Sequence, residues 1–539
     1  MRQLLFAVTV TAANFALTAA TPIPLKNDKT VLVLGGGVAG IIAARSLAEK
    51  NIDNFLVVEA RNELGGRMRS QEFGAEGKRA IIELGANWVQ GTHSDVPLSS
   101  RTPGPANPIL TLASKHGIHT TESDFYDSVA TYDESGEADY LDVFDLAVAA
   151  HTNLTIQGVE RFSTGQVDMT ARAGYSLLGM QPKTPPEMAS EYYMDWQYAQ
   201  TPEQTSWVAS SLVHRFTFDV EYGGFSPHNL ISVDQRGFKH LIQAEAATFL
   251  RPEQLLLNAT VRSIAHSRYG VIVTLANGTS ISADYVISTF SLGVLQNDDV
   301  LFEPALPMWK QEAIHSMTMA TYTKIFLQFE QKFWFDTQFA LYADRERGRY
   351  PVWQSLDLEG FLPGSGIIFA TVTGDYAKRI ESLSDAQVEA ELLEVLEIMF
   401  NTTIPAPTAF FFPRWSADPL YRGSYSNWPA SFVSSHHTNL RANVGQRLWF
   451  AGEAMSQKYF GYLHGAYFEG MHIGERVAEC VVAGGQCNSL PFFESVQTSG
   501  PHVHNDTAHL TAAVPALQPF LAGVVSSLPF SWLWLWMCG

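Results

Sequence analysis

The first apolar run, Thr30-Val31-Leu32-Val33-Leu34, leads straight into Gly35-Gly36-Gly37-Val38-Ala39-Gly40 and then into a helical pattern over Ile41 to Lys50. A second short run, Phe55 to Val58, ends at Glu59. These patterns predict a compact βαβ opening. Further on, Gly270 to Leu275 and Ser280 to Ser288 read as the strands of a hairpin, joined by a two-residue turn at Asn277-Gly278. Tyr322 to Phe329 alternates, which sets Tyr322, Lys324 and Phe326 on one face and Thr323, Ile325 and Leu327 on the other. The intervening stretch, Asn107 to Leu230, is richer in polar and aromatic residues, with Pro182, Pro185 and Pro186 marking loops. Ser384 to Phe400 is the clearest isolated helix: Ser384 and Gln387 form a capping box, and Val388, Leu392, Val395 and Met399 share one face. That helix is assigned to packing. No internal repeat or low-complexity tract appears, which sets solenoids and propellers aside.

The 539 residues exceed what one ordinary core holds, so two folding units are expected. Hydrophobic residues at 46% leave ample area to bury and argue against extensive disorder. A formal charge of -19 repels phosphate backbones, which argues against a nucleic-acid partner, and it draws in cationic small molecules. No cluster of metal-ligand spacing is read from the sequence.

Residues 1–20 combine Met1-Arg2, an apolar stretch from Leu4 to Leu17 and small residues at Thr18-Ala19-Ala20, the parts of a signal peptide. Secretion is therefore expected. Of three cysteines, Cys480 and Cys487 are close enough to close a small disulfide loop. Glycosylation sequons stand at Asn153, Asn258, Asn277, Asn401 and Asn505. At the other end, Val514 to Gly539 is strongly apolar after a polar stretch, and it resembles a GPI-attachment signal that would anchor the protein at the cell surface. Pro515, Pro519 and Pro529 interrupt any continuous spanning helix there.

In a G-x-G-x-x-G turn the first glycine makes the bend, the second admits a pyrophosphate and the third brings helix and strand together. Gly35, Gly37 and Gly40 hold those places. The helix start offers unpaired N–H groups to phosphate. Glu59, about 20 residues on, can accept from both ribose hydroxyls and would repel a 2′-phosphate, which leaves FAD or NAD.

The segment just beyond Glu59 favours FAD. Glu63-Leu64-Gly65-Gly66-Arg67-Met68 resembles the second glycine pair of the flavin-containing amine oxidases. The likeness continues through Glu83-Leu84-Gly85-Ala86-Asn87-Trp88, Tyr322 to Phe326, Pro413-Arg414-Trp415, Tyr421 to Pro429 and Phe450 to Tyr467. Within that family the chain looks most like the plant and fungal polyamine oxidases. The resemblance implies an α/β (α+β) protein: a Rossmann-like FAD domain built from residues 28–108, 230–298 and 425–486, and a substrate domain with a mixed sheet flanked by helices, from 109–229 and 299–424. Residues 487–539 are left as a tail.

By the same resemblance Arg67 contacts the pyrophosphate, Glu453 the ribityl chain and Val261 the adenine, while Trp415 and Tyr421 line the flavin pocket. Gly85 and Ala86, followed by Asn87 and Trp88, pass beside the ring. Lys324, preceded by Tyr322, would lie near the flavin's reactive nitrogen and assist proton and oxygen handling. Tyr425 and Tyr462 would flank the amine. The monoamine oxidase branch tethers flavin through a cysteine, but Ala451 to Tyr467 contains none, which implies noncovalent FAD.

The implied reaction takes a polyamine and oxygen to an aldehyde, an amine and hydrogen peroxide. Plant polyamine oxidases carry acids where this chain has Gln90 and, beside Tyr198, Gln197. Without charge-assisted hydrogen bonds there, the expectation is that the enzyme either tolerates less charged substrates such as acetylated polyamines or binds spermine and spermidine more weakly than those relatives. Two alternatives stay open: an oxidase of monoamines or L-amino acids, and a catalytically silent surface flavoprotein.

Overall fold

The computed structural model describes residues 28–92, 106–123, 125–485 and 487–494. The leader, the sequon at Asn505 and the apolar C-terminal segment lie outside the described residues. Strand β1 (Lys29–Leu34) enters the glycine turn, helix α1 (Val38–Glu49) comes next, and strand β2 (Phe55–Val58) returns beside β1 in parallel. Both strands are buried over their apolar residues because helices cover the sheet, so they read as continuous hydrophobic runs with no alternation.

This sheet has eight strands gathered from distant parts of the chain. Beyond β2 lies Leu255–Leu256; on the other side β1 pairs in parallel with Ser280–Ser288, which carries Leu448–Phe450 at its end. The hairpin partner Gly270–Leu275, then Val261–Ser267 and Leu301–Glu303, complete the edge. Leu301–Glu303 extends the sheet just past the expected boundary at residue 298.

The C-terminal helix Leu463–Val482 packs on α1 through small residues. A Cβ on Gly470 would stand 2.3 Å from the carbonyl oxygen of Ala39, and one on Gly474 would stand 2.6 Å from that of Ala43. The disulfide Cys480–Cys487 ties off the end of this helix.

A second sheet of seven strands runs in the order Ala409–Phe411, Tyr322–Gln328, Ile367–Thr373, Val352–Ser355, Phe339–Ala343, Val129–Asp133, Gly136–Glu137. It is mixed, since Phe339–Ala343 lies parallel to Val129–Asp133 while its other pairings are antiparallel. The helix Asp385–Phe400 buries Val388, Leu392, Val395 and Met399, and Ser384 and Gln387 form the reciprocal cap.

Two local expectations need correction. The loop between Gly270–Leu275 and Ser280–Ser288 has three residues, because Leu275 already pairs with Thr279 and the Gly278 amide donates to the Leu275 carbonyl. Only Gly278 takes a positive φ, 86°, which fits a type I turn closed by a glycine bulge. Pro185 and Pro186 do not mark a loop either. They open the helix Pro185–Tyr198, where the missing N–H groups would have had no helical partner, behind a Thr184–Glu187 capping box.

Candidate active site

One cavity of about 1040 Å³ runs from the glycine turn of β1–α1 to the aromatic end of the second sheet. Gly35 has φ +115°, a left-handed conformation suited to glycine, and a Cβ there would lie 2.4 Å from the Thr289 hydroxyl. Gly40 stands behind the cavity: its Cβ would strike the Gly35 carbonyl oxygen at 1.9 Å, so only glycine lets α1 approach β1 this closely. Gly37 and Gly66 face each other, a Cβ on Gly37 reaching the Gly66 Cα at 3.7 Å. Gly37 is the N-cap of α1 and has no side chain to cap with, while Val38 and Ala39 of the first turn line the cavity. An uncapped helix N-terminus opening into a cavity is a site for phosphate.

Glu59 sits at the end of β2. It accepts the Gly36 amide at 2.6 Å and the Arg61 amide at 2.7 Å, and burial raises its carboxyl pKa against the pull of those bonds. Each oxygen keeps a lone pair for a hydroxyl donor, which is the requirement of a ribose edge. Arg67 donates to Glu453 at 2.8 Å and to the Ser424 carbonyl at 3.0 Å. Glu453 also accepts from the Ser426 hydroxyl at 2.5 Å and the Gly461 amide at 2.8 Å, so it braces the C-terminal motif as well as lining the cavity. Trp415 and Tyr421 meet edge to face with centroids 5.3 Å apart, and Tyr421 donates to the Gly66 carbonyl at 3.0 Å.

The strand Tyr322–Gln328 presents Lys324, 4% exposed, toward the cavity. Its Nζ donates to the carbonyls of Glu83 at 3.1 Å and Gly85 at 3.0 Å, and to Oδ1 of Asn87 at 2.9 Å. Three acceptors match three ammonium donors. Burial nevertheless lowers the Lys324 pKa and raises that of Glu83, whose side chain accepts the Phe238 amide; each group's charge favours the charged form of the other. Phe326, on the face of Lys324, joins a cluster with Trp415 and Tyr421, while Ile325 and Leu327 face a different cluster, as the alternation predicts.

The rings of Tyr322 and Tyr425 lie 6.0 Å apart. Tyr425 donates to the carbonyls of Gln197 at 3.2 Å and Trp196 at 3.4 Å, and Gln197 Nε2 donates to the Tyr462 hydroxyl at 2.6 Å. The last turn of the helix Pro185–Tyr198 therefore holds both flanking tyrosines. Arg347 fixes this helix from behind with a bidentate bond to the buried Asp195, at 2.7 and 2.8 Å. Trp196 stacks on Phe125 at 4.9 Å and meets Trp88 edge-on at 6.0 Å, building an aromatic wall.

Every site residue singled out from the sequence except Gly40 lines this cavity, including Val261, Ala86 and Gln90. Tyr198 does so while donating to the Ser210 carbonyl at 3.0 Å, so its hydroxyl is committed to the fold. Sequence reasoning missed Glu83 as the acid coupled to Lys324, although its motif was in view, because that motif was read for its backbone. It also missed Glu122 on the cavity wall, Trp196 and Phe125. Nothing in their local sequence marks them.

The model of the flavin containing amine oxidoreductase family matches residues 38–481. The chain is 36% identical to Polyamine oxidase 1 of Zea mays over 473 residues, 84% of this chain and 90% of the relative. It is 35% identical to Polyamine oxidase 7 of Oryza sativa subsp. japonica, over 82% of this chain and 93% of that one. Among solved structures, a mutant of putrescine oxidase with redesigned cofactor binding superposes with a TM-score of 0.65 at 16% identity, covering 84% of this chain and 99% of the other, which shows the shared fold. The glycine turn, the ribose-ready Glu59 and the uncapped helix start fit FAD, and the chain belongs to the flavin containing amine oxidoreductase family.

Proposed function

We propose that the protein is an FAD-dependent polyamine oxidase that uses oxygen as acceptor. The observation that carries this reading is the cavity itself: a flavin-fitting end joined to an aromatic chamber in which Tyr425, Tyr462 and Lys324 converge, in a chain 36% identical to a named polyamine oxidase. FAD, held by the glycine turn, Glu59 and the start of α1, would supply the two-electron redox chemistry between the amine and oxygen, with an aldehyde, an amine and hydrogen peroxide as products. The chain's own residues position the substrate. Tyr425 and Tyr462 offer ring faces to an aminoalkyl chain, and the helix Pro185–Tyr198 holds them in place. Lys324 keeps an ammonium beside the Gly85 and Asn87 turn, where it can hold or move a proton.

The cofactor is held without a covalent bond, a reading supported by the lack of any cysteine among the described lining residues. Acid precipitation should release the yellow colour to the supernatant. An L-amino-acid oxidase is disfavoured because it needs a cation for the substrate carboxylate. Among the described residues, the cations lining the cavity are Arg67, Arg262 and Lys324; Arg67 is paired with Glu453, Lys324 serves three oxygens, and Arg262 lies next to Val261 at the nucleotide end.

Secretion and glycosylation belong to the same reading. The leader-like N-terminus, the Cys480–Cys487 bridge and the exposed sequons at Asn153, Asn258, Asn277 and Asn401 support it. A glycosidase that leaves the mobility of the secreted protein unchanged would argue against glycosylation. Anchoring through the C-terminal segment is tested by release with a phosphatidylinositol-specific phospholipase.

A peroxide assay with spermine, spermidine, N-acetylspermine, tyramine and leucine tests the activity. Polyamines or their acetylated forms should be the best substrates; turnover of tyramine or leucine alone would overturn the proposal.

A further inference from the structure

The exposed residues that line the cavity fall into two groups. Thr260, Arg262, Ala276 and Pro419 lie at the nucleotide end. Glu122, Tyr126, Pro227 and His228 lie at the other end, beside the aromatic wall, and form the mouth on the substrate side. One end of a small sheet builds this mouth. Trp88–Gln90 and Thr120–Glu122 both pair with Asn229–Ser232, so Gln90 and Glu122 stand on either side of one strand, about 10 Å apart at two strand spacings. Gln90 is opposite Asn229 and Glu122 is opposite Leu230, and all four line the cavity. Partners across a strand pair share a face, so the Glu122 side chain leaves the sheet beside Leu230. Close by in the chain, Phe125 stacks on Trp196, whose carbonyl accepts from Tyr425. One wall thus runs from the flanking tyrosines out to Glu122.

The carboxylates on the described lining are Glu59, Glu122, Asp299 and Glu453. Three of them are committed. Glu453 pairs with Arg67 at 2.8 Å, Asp299 takes Arg422 in a bidentate bond at 2.7 and 2.8 Å, and Glu59 accepts two backbone amides at the glycine turn. The carboxylate of Glu122 has no hydrogen-bond or ion-pair partner among the described residues. An exposed, unpaired glutamate is ordinarily just solvated. Here it is the uncommitted anion of a cavity whose path toward the flavin presents only the neutral amides of Gln90 and Gln197. Tyr126 and Tyr193 add ring faces beside it, with hydroxyls 2.6 Å and centroids 5.8 Å apart, and such faces attract an ammonium.

We propose that Glu122 is the far-end anchor of the substrate path: it takes the trailing ammonium of a long diamine or polyamine whose reacting nitrogen lies between Tyr425 and Tyr462. This rests on the polyamine reading above and narrows it to substrates that carry a cation at the end remote from the flavin.

The test measures how decamethylenediamine and decylamine, equal in chain and different by one ammonium, inhibit spermine oxidation by the holoenzyme. In the wild type the diamine should bind about fivefold more tightly than the monoamine, the upper range for a solvent-exposed ion pair. Glu122→Gln keeps the shape and removes the charge, and it should erase that advantage while leaving inhibition by decylamine within about twofold. The same variant should raise KM for spermine about fivefold, with a much smaller effect on kcat. Glu122→Asp, which restores the charge, should restore part of the advantage. Titration of each amine against the flavin absorbance reads the same binding without turnover. Equal binding of the two amines to the wild type, a diamine advantage that survives Glu122→Gln, or equal weakening of both amines in that variant would overturn the anchor. Spermine oxidation with a KM indifferent to Glu122 leaves the proposed function standing and removes only the anchor; oxidation of no polyamine removes both.

Discussion

The side-chain amide of Gln197 donates to the hydroxyl of Tyr462 across 2.6 Å. The sequence suggested Gln197 in place of an acid that meets the substrate; its side-chain N–H is spent on one of the two flanking tyrosines and its backbone carbonyl accepts from the other, while the residue lines the cavity. Gln197→Leu should leave a phenol in the cavity wall without its donor and free the ring to turn. Such a loss costs about 1–3 kcal/mol, so kcat/KM for the amine should fall roughly tenfold or more. Steady-state peroxide formation measures it, and an unchanged kcat/KM would show that the clamp is idle.

Gln90 lies on the strand Trp88–Gln90 and lines the same cavity. Gln90→Glu should lower KM for spermine, since it supplies the charge-assisted half of a hydrogen bond to an ammonium. Spermine titration of the variant checks this, and no change in KM would remove Gln90 from the substrate path.

Lys324 is set among the Glu83 carbonyl, the Gly85 carbonyl and Asn87. Lys324→Met should slow reoxidation of the reduced enzyme by oxygen by about 10²-fold, the scale of a lost acid or base, and should affect anaerobic reduction less. Stopped-flow mixing resolves the two halves. Equal loss in both would make the lysine structural.

Acid should destabilise the fold through its buried histidines. Burial depresses His151 to about 4 and His214, His437 and His464 to about 3, below the ordinary value of 6.5. The unfolded chain then binds more protons than the folded one, so stability rises with pH in this window and is lost as pH falls from about 6.5 toward those values. Tm should drop by several degrees between pH 7.5 and 5; a flat Tm would contradict the neutral state of these rings.

Local patterns made the nucleotide half legible. β1, α1 and β2 appear where apolar runs and the glycine turn put them, and Glu59 takes its place because a strand end fixes it. Alternation also set Lys324 and Ile325 on opposite faces. What local pattern did not show was the individual contacts between distant segments. Lys324 and Glu83 are 241 residues apart, and Gln197 and Tyr462 are 265 apart, so no periodicity connects them. The hairpin loop escaped for another reason: Asn-Gly suits a two-residue turn and a three-residue loop with a glycine bulge alike, and strand register selects between them.

Anaerobic mixing of the purified holoenzyme with N-acetylspermine or spermine reads the flavin and the amine together. The yellow absorbance band should bleach and return when air is admitted, with one hydrogen peroxide formed per aldehyde. A flavin spectrum that stays unchanged in the presence of both amines would contradict polyamine oxidation.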